Sequence, residues 1–512
     1  MYIAYFPTLA AVKQLMKQRV KAVTWIAVGT LAGALATMSV QSVARNARGD
    51  LPLEEMQRFA RVFETIKGSY VETVDEKKLI NDAIKGMVTS LDPHSSYFDA
   101  KGLKEFNEGV SGSFVGLGIE ITQEDGYVKI VSPIEGTPAY RAGLKSGDLI
   151  TKIDDVNVRT LSLSESVKRM RGEPNTQVRL SIERKAESRS FTVTITRELI
   201  KTISVKSKMI EPGYGWVRVT HFQERTVQDF AAQVTALYKQ DPKMKGLVLD
   251  LRNDPGGYLH SAAAILSAFF DKPVTVVSTK GQMSGTNETM TTAPGSFPRE
   301  DYEAIAAMSS ATRNMLHSVP VVVLVNEGSA SASEIVAGAL QDLKRATLIG
   351  NQTFGKGSVQ TAVCLDEGNQ SMQSCQNAGL KLTISRYYTP SGKSIQAKGI
   401  VPDYFVDESE AGDPFAILRY PREADYLRHI SNGQGSEIDT KALDQEREAA
   451  RKRMEAEACK PEDQRYKSPD LGSDKDFQLL QAIAKLQGKP VVVSKALMER
   501  KESKKIEGED EE

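Results

Sequence analysis

Histidine and cysteine are scarce: 512 residues carry five histidines and three cysteines. No Cys-x-x-Cys or His-x-x-His spacing occurs, so a metal centre has no ligand set and no cofactor is expected. Three cysteines also exclude a fold that depends on a disulfide framework. Cys364 and Cys375 bracket a polar stretch, Leu365 to Ser374, and either close a hairpin or remain free thiols; Cys459 is left over. A surplus of one charge is missing too. Lys+Arg and Asp+Glu both number 66, so nothing draws the chain as a whole to nucleic acid or acidic lipid. Neither an internal repeat nor a low-complexity tract is present. What is there, 40% hydrophobic and 26% charged residues, is the composition of a globular protein. The length implies roughly three or four units.

The first unit, 1–44, is of another kind. Lys13, Lys17, Arg19 and Lys21 precede an apolar run from Ala22 to Met38, and Ser42-Val43-Ala44 follows as a small-x-small cleavage pattern. It reads as a signal peptide or, if uncut, as a membrane anchor, which places the remainder in the periplasm with the membrane touched only there. Residues 45–103 form an N-terminal helical region. Met56, Phe59, Val62, Phe63 and Ile66, then Leu79, Ile80, Ile84, Met87 and Val88, recur at helical spacing until Asp92-Pro93. These two helices are expected to pack on another domain or on a second copy of the chain, making a dimer or larger homo-oligomer.

Between 104 and 185 short alternating strands and glycine turns take over. Gly116-Leu117-Gly118-Ile119 leads a strand, and Tyr127 to Val131, Ala142-Gly143-Leu144, Gly147-Asp148-Leu149-Ile150, a helix from Ser164 and a strand from Gln177 to Ile182 follow. This ordered set resembles a PDZ domain. Leu117, Gly118 and Ile119 then form the carboxylate-binding loop: glycines let backbone N–H groups converge on a terminal carboxylate while the peptide adds as a strand. The partners so implied are proteins or peptides with apolar C-termini.

The largest unit, 186–408, alternates strands and helices. Gly246 to Leu251 is a continuous apolar strand ending in the turn Asp254-Pro255-Gly256-Gly257; Val319 to Val325 is a second, and Ser331 to Leu343 the helix after it. Repeated strand, turn and helix imply an α/β core with its site at the strand C-terminal ends. Residues 409–512 read as a charged helical region and acidic tail: a solvated helix from Gln445 to Ala458, a shorter amphipathic one from Phe477 to Leu486, and Glu507 to Glu512.

The chemistry sits in two segments. Ser329, Ser331 and Ser333 crowd a helix entrance, and Lys356 follows between two glycines. None of the five histidines, His260 being the nearest, falls in either glycine turn, so lysine is the better base. An amine of reference pKa ~10.4 must lose about 3 units, or about 4 kcal/mol, to accept a proton at neutral pH. Burial supplies this and a nearby carboxylate opposes it, so an apolar niche without a close unpaired acid is expected. The serines could all cap the helix. Position favours Ser331 as nucleophile, with the Ala332 N–H and one from Gly256 or Gly257 facing the developing oxyanion. Gly350 to Lys356 also matches the start of a phosphate-binding loop, but Gly357 stands where a Ser or Thr must hold magnesium, which excludes nucleotide binding.

GSASASEIVAGALQD, TFGKGSVQ, LDLRNDPGG and SGKSIQAKGIVPD, with an inserted PDZ, look like the carboxy-terminal processing proteases, the tail-specific Ser-Lys proteases of family S41. The likeness runs from Leu51 to Asp403. It implies a crotonase-like, ClpP-like α/β protease core, an inserted PDZ β-domain and flanking helical segments. By position it puts the nucleophile on Ser331, the base on Lys356, the base-orienting amide on Gln360 and the oxyanion donors on Gly256 and Ala332. It also implies a PDZ domain that gates activity and leaves room for an adaptor protein. Lys356 and Gln360 would lie about 13 Å apart on a regular strand, so the chain must bend between them. Asp254 stands where many relatives carry Asn, a change expected to leave the backbone donors in place. Two rival readings are a PDZ scaffold with an inactive core and a crotonase-like acyl-CoA enzyme; the export signal and the PDZ domain speak against the latter.

Overall fold

The computed structural model describes residues 52–493 except 125, 135, 202, 367, 369–371, 411, 413–417, 419, 420, 435–439 and 462–469. The expected signal or anchor and the acidic tail lie outside the described residues. Among those described, no helix is long and apolar enough to cross a membrane.

The chain divides into two compact units at Asp82/Ala83. In the first, α1 (Leu53–Ser69) carries Met56, Phe59 and Val62 at 53, 46 and 53% exposure, so much of its apolar stripe is exposed. Lys67 pairs with Glu76 at 2.9 Å, at the start of α2 (Glu76–Thr89).

The second unit takes in part of the expected N-terminal region. The end of that region, expected at 103, holds a strand as well as helices: β1 (Ser96–Asp99) pairs with the long strand Ala378–Tyr388 of the core. After α3 (Ala100–Ser111), strand β2 (Ser113–Gly116) leads into the PDZ domain. Its sheet runs β3 (Ile119–Glu124), β4 (Tyr127–Pro133), β5 (Leu149–Ile153), β6 (Gln177–Arg184), β7 (Arg189–Thr196), with helix α4 (Leu163–Met170). The expected end of this domain at Lys185 therefore falls inside it. Lys185 to Glu187 is a single helical turn, and Gln177 to Arg184 pairs antiparallel with Arg189 to Thr196. Strand β8 (Glu198–Lys201) then returns alongside β2, so the ways into and out of the domain form one ribbon.

The core is built on the sheet β9 (Val205–Glu211), β10 (Tyr214–Val219), β11 (Gly246–Asp250), β14 (Val321–Val325), β15 (Ala346–Gly350), β18 (Tyr404–Phe405), where β12 and β13 denote Thr275–Gly281 and Thr289–Thr291 of a second sheet. All neighbours after β9 and β10 are parallel. Every residue of β11 and β14 is buried, which is why both read as unbroken apolar runs. Leu247, Leu249, Val321, Val323 and Val325 face the helices α5 (Thr226–Gln240), α6 (Leu259–Ser267) and α7 (Ala332–Asp342). Val248, Val322 and Leu324 face the other way, onto Leu479, Ala482 and Ile483.

Those last residues belong to α9 (Phe477–Leu486), past α8 (Thr440–Ala458), in what the sequence presents as a charged C-terminal region. The core thus does not end at 408: α9 covers the second face of its sheet. Its cap, Asp476, forms a buried pair with Arg252 at 2.6 Å, and Arg252 also holds Asp250 at 2.6 Å. The second sheet centres on β17 (Ala378–Tyr388), which pairs with β1, β12 and β16 (Ser358–Cys364). Cys364 and Cys375 form a disulfide at the end of this hairpin.

Candidate active site

Two turns meet where β11 and β14 end. Ser329 Oγ donates to the Leu251 carbonyl at 2.8 Å and Ser333 Oγ to the Asp254 carbonyl at 2.9 Å, so both hydroxyls lace the turns together. Ser331 is the serine not spent in this way. Its φ is +56°, an arrangement a non-glycine residue rarely keeps without a surrounding structure that enforces it. Ala332 is the first residue of α7, where a backbone N–H has no carbonyl of its own helix to meet. Gly256 packs so closely here that a Cβ would lie 2.8 Å from both Ser331 Cβ and the Ala332 nitrogen.

Glu334 ties this turn to the lysine. Fully buried, it accepts the Ser331 N–H at 2.9 Å and the Lys356 N–H at 2.9 Å on one oxygen, and the Gly355 N–H at 2.7 Å and the Thr353 hydroxyl at 2.5 Å on the other. Burial pushes its carboxyl up to about 7 against these hydrogen bonds. The sequence held a signal for it, since Ser331 and Glu334 have the Ser-x-x-Glu spacing of a helix capping box.

Burial, helped by the nearby charge of Lys381, brings the Lys356 amine down to about 8. Three acids push the other way, Glu423, Glu334 and Asp92, but none of them is the close unpaired acid that the sequence argument excludes. Each is already hydrogen-bonded. Glu423, from the C-terminal region, meets His94 Nε2 at 2.6 Å and accepts from Gln396 Nε2 at 2.9 Å. Its backbone N–H donates to the Phe354 carbonyl at 3.0 Å, which docks this distant segment beside the lysine loop. No sequence pattern marks Glu423, because its partners are far along the chain.

Tyr387 is the other residue missed. Fully buried on β17, it donates its hydroxyl to the Lys356 carbonyl, and Ser331 lies close enough to favour its ionised form against the burial that pushes it well above the ordinary phenol value. Among the described residues, no hydrogen bond joins Ser331 Oγ to Lys356 Nζ. Gln360 does not reach the amine either: its Nε2 donates to Ser358 Oγ at 2.9 Å and Thr383 Oγ1 at 3.1 Å. The bend expected near it is present as a register shift between Val359 and Gln360.

One expectation about the oxyanion turn is overturned. Asp254 was expected to leave the donors of the turn free, but its Oδ1 accepts the Gly256 N–H at 2.8 Å. Its Oδ2 is buried with no partner among the described residues, and burial holds this carboxyl well above the usual range. In the PDZ domain β3 is an edge strand, as strand addition requires. Gly118 has φ +75°, and a Cβ there would meet Thr137 at 2.3 Å; the Leu117 carbonyl accepts from Ala139 at 2.9 Å, and Ile119 opens the strand.

Comparison with known proteins agrees with this architecture. The model for Peptidase family S41 matches residues 213–406, a PDZ domain model 115–195, and that of the N-terminal domain of the activating protease CtpB 21–102. The carboxy-terminal-processing protease of Bartonella bacilliformis is 40% identical over 391 residues, 76% of this chain and 83% of that protein. The carboxy-terminal processing protease CtpA of Bacillus subtilis is 35% identical, covering 68% of each chain. A solved photosystem II D1 C-terminal processing protease is 28% identical over 73% of this chain and 98% of its own, with a TM-score of 0.38. The chain is therefore a peptidase with a PDZ domain. It belongs to family S41 and, within it, to the carboxy-terminal processing proteases.

Proposed function

We propose that this peptidase is a serine endopeptidase that works through an acyl-enzyme. Lys356, neutral, takes the Ser331 hydroxyl proton as Oγ attacks the scissile carbonyl, and the Ala332 and Gly256 N–H groups receive the oxyanion. The resulting ammonium returns its proton to the leaving amine as the C–N bond breaks. Water then repeats the sequence on the ester, with Lys356 again the base, and releases the acid. Gln360 orients the amine. The observation that carries the reading is the single carboxylate oxygen of Glu334 that holds the Ser331 and Lys356 backbones together.

Two adjustments separate the described arrangement from a working one. Ser331 Oγ must come within hydrogen-bond reach of Lys356 Nζ, and the Gly256 N–H must leave Asp254. The same two features favour the rival reading, a PDZ scaffold with an inactive core. Digestion of an unfolded protein decides between them. Wild type cuts it, and Ser331→Ala and Lys356→Ala each lose at least about a thousandfold in rate. Equal activity in all three rejects the assignment.

The PDZ domain captures the apolar C-terminus of a substrate, through Leu117, Gly118 and Ile119, and gates cleavage. Gly118→Val, strained at its positive φ and against Thr137, raises KM for a protein with an apolar tail by about tenfold while an untailed peptide is cut as before. Equal loss on both substrates argues against tail capture. The enzyme acts in the periplasm after export, and the exposed stripe of α1 is where two copies associate. Fractionation of cells and light scattering of the purified protein test these last two points.

A further inference from the structure

The amide of Gln360 is held with a definite polarity. Both of its hydrogens are engaged, one by Ser358 Oγ at 2.9 Å and one by Thr383 Oγ1 at 3.1 Å, which leaves Oε1 as the end available to the amine. The two ends of an amide differ only in what they bond, so the partners fix them. Thr383 has a single hydroxyl proton, and it goes to Asp92 Oδ1 at 3.1 Å. A carboxylate only accepts, so Thr383 is left to accept from Gln360.

Asp92 itself is clamped by the turn that follows it. It receives the His94 and Ser95 N–H groups at 2.8 and 2.9 Å and the Ser95 hydroxyl at 2.7 Å, and Ser95 Oγ in turn accepts the Thr383 N–H at 3.1 Å. Although burial favours its neutral form, the hydrogen bonds from Ser95, His94 and Thr383 win and hold the Asp92 carboxyl below its ordinary value. The direction of the whole chain is thus set at its far end, by a residue of the segment preceding β1.

Resting on the Ser-Lys reading, we infer that Asp92 and Thr383 are positioning residues that decide which end of the Gln360 amide faces the Lys356 amine. With Asn at 92 the charge that holds the Thr383 proton is gone: the amide oxygen stays on the His94 and Ser95 N–H groups, Thr383 can turn its hydroxyl to Gln360 Oε1, and the Gln360 NH2 then turns towards the lysine. An N–H facing the amine takes up the lone pair that must receive the Ser331 proton, and it repels the protonated form. The charged groups acting on Lys356 are Lys381 from β17, Glu423 from the C-terminal segment, Glu334 from α7 and Asp92 itself. Removing the Asp92 charge therefore acts in the same sense as the reversed amide. Both make the ammonium less favourable and move the acidic limb of the rate to lower pH.

The test is the pH profile of kcat for the full chain. Asp92→Asn lowers the plateau by about tenfold or more and shifts the acidic limb to lower pH. Thr383→Val, which removes the hydroxyl, lowers kcat by about tenfold, and Thr383→Ser, which keeps it, stays within about threefold of wild type. A role in folding alone would lower kcat on an unmoved limb and would not separate Val from Ser. Should Asp92→Asn fail to fold, the Thr383 pair decides the matter. Wild-type kcat in Thr383→Val, or an unmoved limb in a folded Asp92→Asn, overturns the relay. Ser331→Ala measured alongside keeps the two ideas apart: activity there sinks the Ser-Lys reading, whereas an inactive Ser331→Ala beside an unaffected Thr383→Val sinks only the relay.

Discussion

Ser331 and Lys356 come from sheets that hold their residues in place differently. The serine stands at the end of a parallel sheet whose central strands are buried on both faces, and the turns around it are laced by Ser329, Ser333 and backbone bonds from neighbouring elements. The lysine precedes an antiparallel hairpin, and its surroundings are borrowed: Glu423 from the C-terminal region, Asp92 and His94 from before β1, Tyr387 from the facing strand. The proposed nucleophile, fixed by local packing, tolerates change far along the chain. The proposed base, whose environment is assembled from three remote segments, can be altered by any of them.

Glu334 is where the comparison can be broken most severely, because it is the one group shared by both halves. Glu334→Gln preserves shape but presents an NH2 group to donors, and it is expected to cost about a hundredfold in kcat with little change in KM. If kcat stays within a few-fold, the halves are held together by something else. The pH profile sharpens the lysine half. Only the neutral amine is a base, so activity falls about tenfold per pH unit below the Lys356 value and rises through it; that value is about 8. A limb centred below 6 would mean that another group is the base.

The smallest effect concerns the serine half. The Asp254 carboxyl is raised by burial, so the folded protein resists ionising it while the unfolded chain does not. Stability is lost as pH climbs from the ordinary aspartate range towards the folded value. Asp254→Asn removes that loss: its Tm matches wild type near pH 4 and exceeds it by about 2 °C or more at pH 8. An advantage of the same size at both pH values would point to packing instead of charge.

Much of the serine half was legible from sequence, for a physical reason. Strands buried on both faces must be continuously apolar, so Gly246 to Leu251 and Val319 to Val325 announce themselves, and the turns at their ends follow. The PDZ boundary was not legible, since the turn from Lys185 to Glu187 has nothing to distinguish it from a linker. The amphipathic pattern of Phe477 to Leu486 is equally that of a surface helix and of a helix roofing a sheet. Tyr387 and Glu423 were beyond reach because residues brought together across long stretches of chain leave no local pattern. Asp254 could be seen as unusual, but only the geometry shows that it captures a donor.

The pairing of β2 with β8 gives the PDZ domain an unusual modularity. Since Ser113 and Lys201 sit opposite each other in register, the chain leaves the peptidase and comes back at the same place. A short reverse turn could bridge that gap and yield a self-standing hydrolase, and a foreign recognition module could be plugged into the same socket without lengthening any connection.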